Sequence, residues 1–67
     1  MKIHEIFNKT KGARKVIVLE EVNLKYDKIE YCVQTYALDK RGETLIESTT
    51  FRSKLAALKY AEFELTV

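Results

Sequence analysis

The stretch Ser53 to Val67, SKLAALKYAEFELTV, decides the fold, because it is the one segment whose composition and spacing both demand a helix. From Lys54 onward it is rich in Leu, Ala, Lys and Glu, the residues that lose least on entering a helix, and Ser53 stands where an N-cap is wanted. At about 100° per residue, Ala57, Leu58, Ala61 and Leu65 form one apolar stripe with Leu55 at its margin, the face expected to lie on a sheet. Ala56, Tyr60, Phe63 and Val67 form a second stripe on roughly the opposite side, where a surface helix is ordinarily charged.

Upstream of the helix the pattern changes period. Val16 to Leu24 and Ile29 to Asp39 are rich in β-branched and aromatic residues and read as strands joined by the short loop Lys25 to Lys28. A third strand is expected from Glu43 to Phe51 after the turn Asp39-Lys40-Arg41-Gly42, with Gly42 supplying a left-handed residue to a three-residue loop. That loop predicts Asp39 opposite Glu43. It places Ile29, Tyr31, Val33 and Ala37 on one face with Leu45 and Phe51, and Cys32, Gln34, Tyr36, Ser48 and Thr50 on the other. Glu47 then points inward. The change of parity between Ile17/Leu19 and Val22/Leu24 predicts a bulge at Glu20-Glu21. Lys2 to Phe7 reads as a first edge strand or an ordered extension. The expected architecture is α+β: a small antiparallel meander of three or four strands packed on one C-terminal helix, forming a single domain over residues 1–67.

Composition limits the chemistry. With 67 residues, of which 46% are hydrophobic and 33% charged, and with no Pro and two Gly, the chain reads as ordered but short of core. A domain of this size gains only about 3–5 kcal/mol from one core and often relies on a disulfide, a metal or a partner. Cys32 is the sole cysteine and His4 the sole histidine, so neither an intrachain disulfide nor a structural zinc set built from Cys and His is available. Association is the route left. No apolar run suggests a signal peptide or a membrane span, and the expected location is the cytoplasm.

No phosphate-binding glycine loop, nucleophile elbow or metal-binding helix motif is present, and no acid/base pair converges, so the expectation is a protein that is not an enzyme and takes no cofactor, metal or small-molecule substrate. Two surface features remain. The second helix stripe, with Tyr36 on the sheet, suggests a protein-binding surface, since exposed Tyr and Phe beside small residues are typical interface anchors. The partner is another protein or a second copy of this chain, and the role that of a homodimer, small inhibitor or adaptor, a style frequent among accessory proteins of phages and mobile elements. The other feature is a basic end formed by Lys9, Lys11, Arg14 and Lys15, joined in a meander by Lys40 and Arg41, which suggests a small DNA- or RNA-binding domain as the alternative.

One resemblance bears on that alternative. Thr50-Phe51-Arg52-Ser53, followed by Ala56-Ala57 and Tyr60, resembles the end of the third strand and the helix of AP2-type DNA-binding domains. It implies a sheet that enters the major groove through Arg and aromatic residues of its first two strands. Here the strands from Val16 and from Ile29 carry Glu20, Glu21 and Glu30 and no Arg.

Overall fold

The computed structural model describes residues 1–66. Four strands, β1 (Lys2–Lys11), β2 (Arg14–Asn23), β3 (Lys28–Asp39) and β4 (Gly42–Phe51), precede one helix, α1 (Lys54–Thr66). The strands lie in the order β1-β2-β3-β4 and every neighbouring pair is antiparallel, so the expected α+β meander takes its four-stranded form. Lys2 to Phe7 belongs to a strand that runs on to Lys11.

Local chemistry accounts for the turns. Lys11 pairs with Arg14, leaving Gly12 and Ala13 as a two-residue loop whose first residue has φ +61°, a conformation a side chain at Gly12 would oppose. The loop between β2 and β3 is Leu24 to Asp27, one residue earlier than expected, because Asn23 pairs with Lys28 and the Asn23 side chain closes the turn by accepting from the Lys25 amide at 3.1 Å. In the last hairpin Asp39 pairs with Gly42, not with Glu43, and its carboxylate accepts the Arg41 amide at 2.8 Å. The side chain of Asp39 thus stabilises a shorter loop of Lys40 and Arg41 alone.

The bulge expected at Glu20-Glu21 is not there: β2 pairs with β3 in one unbroken register from Arg14↔Ala37 to Asn23↔Lys28. The irregularities fall on the two edge strands, at Ile6 of β1 and Ile46 of β4. Central strands are held by hydrogen bonds on both sides, so the extra residue is accommodated where one side is free. The bulge in β1 lets both Ile6 and Phe7 reach the core. The bulge in β4 makes the odd-to-odd register correct only from Tyr31↔Phe51 to Thr35↔Glu47. Nearer the turn Tyr36 faces Leu45, so Leu45 lies on the face opposite to the one expected.

Helix α1 begins as its sequence requires, with Ser53 Oγ accepting the Ala56 amide at 3.2 Å. It covers one face of the sheet. Val16, Val18, Val33, Ala57 and Ala61 are almost fully buried, with Tyr31 and Leu65 beside them and Leu58, Phe51 and Tyr60 packed at the border. The alanines let the helix backbone approach the sheet closely. Leu55 is exposed rather than marginal. Among the described residues, three large apolar side chains, all valines, are almost completely buried, which is a small core for a free-standing domain.

Candidate functional site

Burial of Val16 and Val18 under α1 places the intervening residues of β2 on the uncovered side, because strand side chains alternate. Lys15, Ile17, Leu19 and Glu21 therefore form a column along the middle of an open face. The register sets Tyr36, Gln34, Cys32 and Glu30 beside them in that order. Leu45, Ser48 and Thr50 continue the rows on β4, and Thr10, Asn8, Glu5 and Ile3 on β1. Ile17, Leu19 and Cys32 make a small apolar centre among the polar side chains of Gln34, Asn8, Ser48 and Thr50: Ile17 and Leu19 are half-buried, and Cys32 is buried with its Sγ 3.3 Å from Ser48 Oγ. Leu45 and Ile3 stand about half exposed at the corners.

The ends of this face differ in charge. Glu21 and Glu30 sit directly opposite each other in the register, a like-charge pair that opposes sheet formation, and neither forms an ion pair among the described residues. At the other end Lys15 lies over the Tyr36 ring, 6.0 Å from its centre, and 3.0 Å from Glu43.

The second helix stripe divides. Tyr60 is half-buried against Phe51, ring centres 5.2 Å apart, and its hydroxyl donates to Glu47, which explains the inward carboxylate. Ala56 is half-buried as well. Phe63 is 60% exposed and reaches only as far as the Tyr60 ring, 6.4 Å away. Val67 lies outside the described residues. Tyr36, the sheet member of the proposed surface, belongs to the open face and not to the side carrying Phe63, and its hydroxyl donates to Gln34. The five residues thus do not form one surface.

All six residues of the basic end do lie at one end of the molecule, where the turn after β1 meets the end of β3 through a Leu38 amide to Ala13 carbonyl bond of 2.8 Å. Carboxylates share that end. Lys9 pairs with Glu62 at 3.2 Å, Arg14 with Glu64 at 3.2 Å, and Lys15 with Glu43, while Lys11, Lys40 and Arg41 are exposed. Glu62 and Glu64 come from the end of α1, and nothing in their local sequence marks them as partners of the basic end. The spacing of Glu64 three residues after Ala61 signals only that it lies beside the buried stripe.

Tyr31, on the covered face, has its phenol pushed above the usual 10.0 by burial, and by the charge and hydrogen bonding of Glu20 beside it in the register. Among the described residues there is no cavity and no cluster of three or more metal-ligating side chains. No helix there is long and apolar enough to cross a membrane. No protein-family model, curated protein or solved structure matches the chain.

Proposed function

We propose that this chain is a non-enzymatic protein-binding module, acting by occupying a protein surface as a homodimer, small inhibitor or adaptor, and that the open face of its sheet is the principal binding surface. The observation that carries the reading is the column Ile17-Leu19 with Cys32, Tyr36 and Leu45 on a face no element covers, in a domain whose own core buries so little. Phe63 is a lesser, separate anchor on the helix. The bulged edges of β1 and β4 disfavour pairing by strand addition, which leaves the face rather than the edge for recognition. Nucleic-acid binding through Lys11, Lys40 and Arg41 is the weaker proposal, because carboxylates oppose the cations beside them.

The test compares the wild-type chain with Leu19→Lys, measuring the mass of the purified protein by light scattering and its capture of other proteins from extract. Association lost in Leu19→Lys, with the circular dichroism spectrum unchanged, supports the reading. Association of every kind unchanged by that substitution overturns it.

A further inference from the structure

We infer that the partner of the open face is a second copy of this chain, the two sheets packing face to face about a two-fold axis that lies across the strands. The inference rests on the reading of the open face as a binding surface and names its occupant.

The argument comes from the order of residues along β2. Lys15, Ile17, Leu19 and Glu21 occupy successive outward positions, so two copies of β2 laid antiparallel place Lys15 against the partner's Glu21 and Ile17 against the partner's Leu19. Each contact occurs twice, as two-fold symmetry requires. The same axis passes over the centre of the face, between the Ile17/Gln34 row and the Leu19/Cys32 row, and brings Tyr36 toward the partner's Glu30. Of the remaining charges on that side, Glu43 at one end lies toward the partner's Lys28 at the other, because Glu43 pairs with Leu38 and Lys28 with Asn23, both on the open side. Glu5 remains at the rim.

Energetics agree with geometry. The opposed pair Glu21 and Glu30 forms no ion pair among the described residues, Lys28 lying beyond it at the end of the same side, and the partner's Lys15 brings a cation directly over Glu21. An axis running along the strands would instead stack Lys15 on Lys15 and Glu21 on Glu21, so charge selects one two-fold packing over the other. The area is of the right order: four strands of ten to twelve residues, at about 3.3 Å per residue and about 4.8 Å between strands, make a face on the order of 600 Å² in projection, against the ~800 Å² of accessible surface each partner buries in a standard interface. Sheets so packed stand about 10 Å apart, with Ile17 and Leu19 of both copies meeting at the centre and polar side chains around them.

The experiment is sedimentation equilibrium of wild type, Lys15→Glu, Glu21→Lys and the double variant, with circular dichroism on each. The wild type is expected to dimerise, and each single variant to weaken dimerisation on the order of tenfold or more. An equimolar mixture of the two single variants is expected to form dimers again, because Glu at position 15 then meets Lys at position 21 and the remaining Lys15 meets the remaining Glu21. The double variant recovers for the same reason. A wild type that stays monomeric at every concentration, or a mixture that does not recover, overturns the inference. A monomer whose capture of a different protein is lost in Leu19→Lys overturns the self-pairing alone and leaves the binding face standing.

Discussion

Arg14 Nη1 lies 3.2 Å from Glu64 Oε2 and 3.4 Å from the main-chain carbonyl of the same residue, tying the start of β2 to the end of α1. One guanidinium therefore serves both a carboxylate that is nearly buried and a carbonyl at the helix C-terminus, the end where a negative side chain is otherwise unfavourable. Arg14→Ala leaves Glu64 buried without its cation and is expected to cost about 3 kcal/mol. Glu64→Gln keeps an acceptor and removes the charge, and about 1 kcal/mol is expected. Urea unfolding of the two variants checks the asymmetry, and equal losses would show that the pair is not a buried one in energetic terms.

Thr35 is 1% exposed and its hydroxyl has no hydrogen-bond partner among the described residues. It sits in the covered face opposite Val16. Thr35→Val preserves shape and removes an unsatisfied polar atom, so stability is expected to rise by about 1 kcal/mol in thermal or urea unfolding.

Tyr60 and Phe63, neighbours on one helix face, are expected to separate on truncation. Tyr60→Ala removes the Phe51 contact and the bond to Glu47 and should cost about 2 kcal/mol of folding stability. Phe63→Ala should change folding by under about 0.5 kcal/mol, since the ring is mainly in solvent. Unfolding midpoints at one protein concentration distinguish them.

The raised phenol of Tyr31 ties stability to alkaline pH. Its protonated form is favoured in the folded state, so the unfolded chain loses that proton first. The contribution is therefore intact below the ordinary value of 10.0 and declines as pH rises from there through the higher folded value. Tyr31→Phe cannot ionise, and its stability should fall less steeply than that of the wild type between about pH 9 and 11. Identical slopes would exclude Tyr31 as the source.

The basic end is expected to give no shift with mixed DNA or RNA in a low-salt gel assay, because Glu62, Glu64 and Glu43 stand against Lys9, Arg14 and Lys15. A retained complex that dissolves steeply with salt and is lost on charge reversal at Lys11 and Arg41 would restore nucleic acid as the ligand.

Residues close in sequence were the readable part of this protein. The Ser53 cap, the Ala57/Ala61/Leu65 stripe, the two central strands and the existence of a turn after Asp39, though not its length, follow from local propensity and period, which act over a few residues and need no knowledge of the rest of the chain. The run Val16-Ile17-Val18-Leu19 is apolar throughout, so its sequence marks a strand without showing which side the helix covers.

Tertiary structure decided what depends on distant partners. The bulges moved from Glu20-Glu21 to Ile6 and Ile46 because only an edge strand has a free side to absorb an extra residue, and edge position is a property of the whole sheet. The second helix stripe split because β4 brings Phe51 and Glu47 to Tyr60, while Phe63 stays 60% exposed. The basic end acquired Glu62 and Glu64 because the helix ends above the first turn, some fifty residues away along the chain. Local sequence sets period, cap and turn through short-range sterics. Which faces meet, and which remain open, depends on long-range packing and charge pairing that no single segment contains.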